Sequence, residues 1–320
     1  MNSAARNKED VIVMMKQYSA FILLALMLLL NLFITPNFFR MGTLWNIISQ
    51  TCTIILTGMG MTMVISTGGI DISVGAVMAL GGVISGMMLD KIGLIPAILL
   101  AIAVCCLSGA LAGFMIGKLK VQAMVVTLAL LMGIRGVAQL MNDGKIFYIE
   151  GELAESYKLL GSAKIAGVVP VQLIPIVISV AVTWFILEKT ILGRHIQAVG
   201  DNPRSSMLAG INTAKTLMFV YVYSAAFAAI AGVFASAKIG AADGNSLGLL
   251  AELDAIAAVA VGGTSMSGGR AKVFGTVVGA LIMQLINITV NMNNITYEYA
   301  QIFKAIIIVF AVYLQREKAS

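Results

Sequence analysis

The residues best suited to chemistry in this sequence are acids that interrupt apolar runs. Asp71 and Ser73 lie in TGGIDISVG, between two runs of about twenty mostly apolar residues. Glu252 and Asp254 interrupt a second stretch of small residues, AELDAIAAVAVGG. A carboxylate at the centre of a bilayer costs at least about 2.5 kcal/mol, so such groups usually face a cavity or a partner. These four residues are therefore candidates for a gate or a polar path.

Two roles stay open for Asp71. It can cap a helix at the inner membrane face, where unpaired N–H groups and the helix dipole favour negative charge, or it can act directly in substrate passage or partner contact. Glu252 and Asp254 present the same alternatives on the outer side. Arg135 and Lys304 lie in or near apolar runs, and each either reaches an interface or pairs with an acid inside the bundle. The other side chains that we consider for lining a path are Gln50, Ser66, Asn287 and Asn291.

Metal and enzyme chemistry find no support in the sequence. His195 is the single histidine, and the three cysteines lie in apolar runs without CxxC or Cys/His spacing. The stretch GGTSMSGGRAK places Arg270 and Ala271 where a phosphate-binding loop needs Lys and Ser/Thr. No Ser/His/Asp or Cys/His set can be assembled. We therefore expect no enzyme, no metal site, no cofactor and no ATP hydrolysis by this chain.

The composition predicts an all-α protein of the membrane. Of the 320 residues, 59% are hydrophobic and 11% are charged, whereas soluble domains carry about 25% charged residues. A membrane helix needs about 20 apolar residues, and breaks at Pro, Gly and charge clusters predict a polytopic bundle of about ten spans in a single domain, 1–320. The ten spans are expected near 12–34, 44–66, 71–89, 94–116, 121–140, 171–188, 216–238, 252–266, 273–292 and 299–315.

The distribution of basic residues predicts the orientation. With both termini in the cytoplasm, 13 Lys and Arg residues fall in inner segments and six in outer segments, as expected from the positive-inside rule. The net charge of +6 is thereby explained by topology, and we expect no nucleic acid partner. Asp71 and Asp254 open the third and eighth spans, which run in opposite directions, so an inverted repeat of the kind common in transporters is predicted.

Two polar segments are long enough to have their own structure. The outer one, 141–170, has no role that the sequence defines. The inner one, about 189–215, contains GDNPRSSMLAG, which predicts a short helix with Asp201 or Asn202 as its cap, Pro203 at its first position and Gly210 after its end. This partly apolar helix either contacts a protein partner or lies on the membrane surface.

The chain resembles the permeases of bacterial ribose-type ABC sugar importers. The matching stretches follow one another along most of the chain: TPNFF, GMTMVISTGGIDISVGAVMALGG, VQAMVVTLALLMGIRGV, LGRHIQAVGDNPRSSMLAGIN and ELDAIAAVAVGGTSMSGGRAKVFGTVVGALI. The N-terminus, the segment 141–170 and NMNNITYEYA lie outside this pattern. Where family members commonly have Gly-Gly-Asn, this chain has Gly200-Asp201-Asn202, a mild departure.

The resemblance implies a type II-like permease of the bacterial inner membrane, with two copies lining the path at a shared interface. It implies an ATPase partner with two fused nucleotide-binding domains, and a periplasmic or lipid-anchored sugar-binding protein. The loop between spans six and seven would couple to the ATPase, which here means Gly200, Asp201, Asn202, Arg204, Ala209 and Gly210.

The function expected from the sequence is therefore import of a ribose-like or related sugar, driven by ATP hydrolysis on another chain. The alternative is a gradient-driven secondary transporter or channel for a small polar solute, in which Asp71, Glu252 or Asp254 carries ions. The sequence does not identify the sugar.

Overall fold

The structure is a computed structural model that describes residues 19–315, with side chains described for residues 20–309. The start of the first predicted span, at residue 12, and both termini, which were expected in the cytoplasm, lie outside the described residues. The chain folds almost entirely into helices, and an all-α polytopic architecture is confirmed. The helices of the first half are α1 (Ser19–Ile34), α2 (Met41–Ser66), α3 (Val74–Ile92), α4 (Leu94–Gly117) and α5 (Ala123–Met141).

The second half opens with the segment 141–170, which contains β1 (Phe147–Tyr148), α6 (Ala154–Ser162), β2 (Lys164–Ile165) and β3 (Val169–Pro170). The remaining elements are α7 (Leu173–Lys189), α8 (Ile191–Asp201), α9 (Pro203–Leu208), α10 (Thr213–Ile239), β4 (Ala241–Ala242), α11 (Ala251–Val261), α12 (Val273–Met292) and α13 (Tyr297–Gln315). The strands form two antiparallel pairs, β1 with β4 and β2 with β3.

Six of the described helices are long and apolar enough to cross a membrane: α2, α3, α4, α5, α10 and α12. The pair α7 and α8, bent by 75°, adds a seventh if it counts as one span. The count of ten spans stays a prediction. The span expected at 252–266 is a helix of 11 residues, about 16 Å long, and this is too short to cross a hydrocarbon core of about 30 Å alone.

Small residues allow the helices around α10 to approach backbone to backbone. Gly109, Gly113 and Gly117 recur every fourth residue on α4 and all face α10. On α2, a Cβ at Gly60 would lie 2.8 Å from the Cα of Ser224. Such small-residue faces let helices associate where the lipid gives no hydrophobic driving force. Helix α10 therefore forms a rigid centre against which α2, α3 and α4 pack.

The outer segment 141–170 is anchored to this centre by Tyr157 of α6. The ring is fully buried, and its hydroxyl lies 2.7 Å from Ser85 Oγ of α3 and 2.5 Å from Ser236 Oγ of α10. Burial raises the pKa of this phenol, and the two serine hydroxyls offset part of the rise. The segment thus ties the ends of α3 and α10 together.

Candidate functional site

A polar cavity opens among α2, α10, α12 and the start of α13. Its volume is about 460 Å³. Its lining is mainly amides and hydroxyls, although the surrounding helices are apolar. The polar side chains that line it are Ser49, Gln50, Thr53, Gln172, Lys238, Gln284, Asn287, Asn291 and Tyr297. Apart from Lys238, these side chains are uncharged, and they offer hydrogen-bond donors and acceptors.

A smaller cavity of about 190 Å³ adjoins the first and reaches Ala251, the first residue of α11. The two cavities share Thr53, Met78, Gln284 and Asn287 as lining residues. Because α11 begins only at Ala251, the wall of the smaller cavity is formed here by the preceding turn, residues 246–249, instead of by a helix.

Two amide groups in the cavity differ in their hydrogen bonding. Gln284 donates from Nε2 to Gln50 Oε1 at 2.8 Å, and Gln50 in turn donates to Asn46 Oδ1 at 3.0 Å. By contrast, Asn287 Oδ1 is buried and has no hydrogen-bond partner among the described residues. A buried polar atom without a partner costs about 1–3 kcal/mol, so Asn287 is the group in the cavity that gains most from a ligand donor.

Asp254 lines the smaller cavity and forms an ion pair with Lys304 of α13. Its Oδ1 lies 2.6 Å from Nζ of Lys304, and the two side chains are 18% and 8% exposed. The lysine therefore pairs with an acid inside the bundle, one of the two roles that the sequence left open. Arg135, the other candidate, donates from Nη1 to the carbonyls of Leu247 at 2.6 Å and Gly244 at 3.2 Å.

Asp71 lies three residues before α3, and its carboxylate bonds both to Ser73, the residue that precedes this helix, and to α10. Its Oδ1 accepts the backbone N–H of Ser73 at 3.0 Å and the Ser73 hydroxyl at 2.6 Å. Its Oδ2 accepts the hydroxyl of Ser224, near the middle of α10, at 2.8 Å. The carboxylate thus stabilises the turn before α3 and also connects this turn to α10 by a hydrogen bond. It does not line either cavity.

Glu252 is a neighbour of the same helix start. A Cβ at Gly75, in the first turn of α3, would collide with the Glu252 carboxylate and the Gly248 carbonyl. Asp71 and Glu252, which were expected on the inner and outer sides of the membrane, therefore both lie beside the start of α3. The reason is that residues 243–250 fold back along α3, with Leu247 against Gly82, and α11 begins only where this segment has reached Gly75.

The predicted coupling residues, from Gly200 to Gly210, form the α8–α9 surface, which lies at the end of the bundle away from the larger cavity. Asn202 caps α9 by accepting the N–H groups of Arg204 and Ser205 at 3.0 Å each, and Pro203 follows as the first helical residue. This local prediction is confirmed. The tip of α9 projects Leu208, which is 91% exposed. The exposed residues at this tip also include Met207, Ala209 and Gly210.

Gly200 sits beneath this surface in a close backbone contact. A Cβ at this position would collide with the carbonyl of Ser66, at the end of α2, and with the N–H of Gly269. The same N–H donates to Ser66 O at 3.0 Å. The end of α8, the end of α2 and the turn 262–272 are therefore locked together at the base of α9.

The structure brings some candidates together and separates others. Gln50, Asn287 and Asp254 line the two joined cavities, whereas Asp71, Ser73 and Glu252 surround the start of α3. Sequence reasoning missed Gln284, Lys238 and Ser224. Gln284 lies in an apolar run, and its polarity there was a usable signal. Within the described residues, no group of three His, Cys, Asp or Glu side chains is placed to hold a metal ion.

Comparison with known proteins gives the class of the chain. Residues 43–312 match the family described as the permease component of the branched-chain amino acid transport system. No solved structure matched the chain. The match covers most of the sequence, including the cavities, the start of α3 and the α8–α9 surface. The chain belongs to this family of membrane transport permeases.

Several curated relatives align over nearly their full length. The ribose import permease protein RbsC of Haemophilus influenzae is 36% identical over 296 residues, which is 92% of this chain and 91% of the relative. The galactofuranose transporter permease protein YtfT of Escherichia coli is 37% identical over 304 residues, 92% of this chain and 88% of the relative. The galactose/methyl galactoside import permease protein MglC of Salmonella typhimurium is 30% identical over an alignment of 335 residues, which covers 98% of this chain and 98% of the relative.

Proposed function

We propose that this chain is the membrane permease subunit of an ATP-driven importer of a neutral monosaccharide. The carrying observation is the pair of adjoining cavities, whose polar lining consists mainly of amides and hydroxyls, with Lys238 and Asp254 as the charged groups. Amide and hydroxyl groups suit the hydroxyl groups of a sugar, which donate and accept hydrogen bonds. The relatives named for ribose, galactofuranose and galactose support this substrate class. The chain is a transport subunit and leaves ATP hydrolysis to a partner.

The α8–α9 surface is our candidate for the contact with that ATPase. Leu208 and Met207 project as an apolar tip, and exposed apolar groups of this kind mark sites of interaction. Gly200 and the turn 262–272 give the tip a stiff base. Movement of the ATPase is thereby transmitted to the ends of α2 and α8, and a partner that contacts the two conformations differently shifts their populations.

Finer features of the assembly are also proposals. The permease acts as a homodimer, with an ATPase of two fused nucleotide-binding domains and a substrate-binding protein on the outer side. It lies in the bacterial inner membrane with both termini cytoplasmic and with ten spans. The start of α3 beside the start of α11 supports an inverted repeat, because the two helix starts meet inside the bundle.

A gradient-driven carrier is the second candidate function. The observation that favours it is Asp71, a buried carboxylate whose described partners are hydroxyls and one N–H group, with no cation. A carboxylate in such a place can bind and release a proton or a sodium ion. Transport would then need a gradient and no ATPase.

The test uses the chain reconstituted in proteoliposomes with its ATPase and its binding protein loaded with sugar. Asn287→Leu keeps the approximate size of the side chain and removes its polar groups. We expect sugar uptake to fall about tenfold, the effect of one lost hydrogen bond of about 1.4 kcal/mol, while ATP hydrolysis persists. Uptake unchanged in this variant would contradict the assignment of the cavity to the path.

A further inference from the structure

A third cavity, of different chemistry from the two described above, lies on the outside of the bundle between α7 and α12. It is a groove of about 410 Å³ whose lining is entirely apolar. The α7 residues recur on one helical face, from Ile176 to Trp184, a length of about 12 Å. The lining residues are Ile176, Val177, Val180, Trp184, Phe274 and Val277, together with Ala181.

Positive charge is concentrated at one end of this groove. Trp184 closes the groove at that end, and Nζ of Lys189 lies 5.3 Å from the centre of its ring. From the α12 side, Arg270 lies in the turn that precedes this helix and places Nη2 3.6 Å from Glu188 Oε2. The Arg270 side chain is 78% exposed, so most of its five N–H donors remain available to a further anion.

We propose that this groove is a binding site for an anionic phospholipid. One acyl chain fills the apolar groove, and the phosphate lies between Lys189 and Arg270. Basic residues beside apolar clefts of membrane helices are suited to acidic headgroups, and tryptophan is suited to the level of the headgroup. Glu188 cancels one of the two cations, so the site carries about one net positive charge for the headgroup.

The charge arrangement favours a lipid over a second copy of this chain as the occupant. A protein interface with a dry apolar centre would need to neutralise the exposed Arg270 and Lys189 at its rim. An anionic lipid supplies that charge and a matching acyl chain in one molecule. The groove also lies on helices that a bilayer surrounds. Its charged end is the end that carries α8, since α7 ends at Lys189 and α8 begins at Ile191.

The sequence allows a direct optical test, because it contains two tryptophans, Trp45 and Trp184. The variant Trp45→Phe leaves Trp184 as the only tryptophan of the full-length chain. This variant is placed in nanodiscs of phosphatidylcholine that contain a minor fraction of one lipid with brominated acyl chains. That brominated lipid is phosphatidylglycerol in one sample and phosphatidylcholine in the other. Bromine quenches the fluorescence of an indole that it contacts, so quenching reports which lipid occupies the groove.

We expect brominated phosphatidylglycerol to occupy the site about fivefold more readily than brominated phosphatidylcholine, as one net cation near an acidic headgroup predicts. The further changes Lys189→Gln and Arg270→Gln should abolish the preference. The matched control removes two other cations near the same end of the bundle, Lys118→Gln and Lys215→Gln, and should retain it. Equal quenching by both lipids would overturn the proposal, because the groove would then contact bulk lipid only. Absence of quenching by either lipid would also overturn it, in favour of a protein occupant.

Discussion

The ion pair between Asp254, which lines the smaller cavity, and Lys304 allows a quantitative prediction about the stability of the chain. At 2.6 Å and an effective dielectric constant of about 20, the attraction between the two charges is roughly 6 kcal/mol. Moving each ion out of water costs several kcal/mol. The two terms nearly cancel, so the intact pair adds little net stability. Its importance lies in what remains when one partner is removed.

We therefore expect Lys304→Met to lower the free energy of unfolding by about 3–5 kcal/mol, because it leaves the carboxylate of Asp254 buried without a cation. The double variant with Asp254→Asn should recover to within about 1 kcal/mol of the parent chain, because both charges are then absent. Each step of this double-mutant cycle changes one member of the pair.

The assay is the thermal unfolding of purified chain in nanodiscs, followed by tryptophan fluorescence at a fixed heating rate, because membrane proteins often unfold irreversibly. The single variant should unfold roughly 5 °C or more below the parent chain, and the double variant close to it. If both variants lose the same amount, the side chains act by packing and the reasoning from charge is refuted. The same variants in proteoliposomes should show whether loss of the pair opens a leak for sugar.

Three further predictions concern other parts of the proposed machinery. Asn202→Ala should remove the cap of α9, cost about 1 kcal/mol locally, and lower the stimulation of ATP hydrolysis by loaded binding protein. Asn202→Ser keeps a capping side chain and should retain this stimulation. Equal stimulation in both variants would refute a role for the cap. Gly200→Val should prevent stable folding because the side chain has no space, whereas Gly133→Ala, where a Cβ meets nothing within 4 Å, should be tolerated in a detergent stability assay. Ser224→Ala should cost about 1–3 kcal/mol in thermal unfolding, since it deprives buried Asp71 of a donor, and unchanged stability would show that the hydrogen bond between Ser224 and Asp71 does not stabilise the fold.

Local signals in the sequence were sufficient for some of these elements. Asn202 and Pro203 are adjacent, and cap chemistry acts over three residues, so the start of α9 could be predicted from a short stretch. The apolar runs likewise predicted the long helices. These features depend on neighbours along the chain and need no knowledge of tertiary packing.

Other features depend on contacts between distant segments. The donor to Asp71 from α10 lies 153 residues away, and the cation that pairs with Asp254 lies 50 residues away. Composition alone also made 252–266 look like a full span. The helix is shorter because residues 243–250 form a series of turns beside α3 before α11 begins, and turns have no hydropathy period that the sequence could display.

The most direct test of the central claim is the uptake of labelled sugar into proteoliposomes that contain this chain, its ATPase and its binding protein. An ATP-driven permease should give uptake that requires ATP and loaded binding protein, and that falls when Leu208→Asp makes the apolar tip of α9 polar. Uptake by this chain alone, driven by a proton or sodium gradient and independent of ATP, would contradict it.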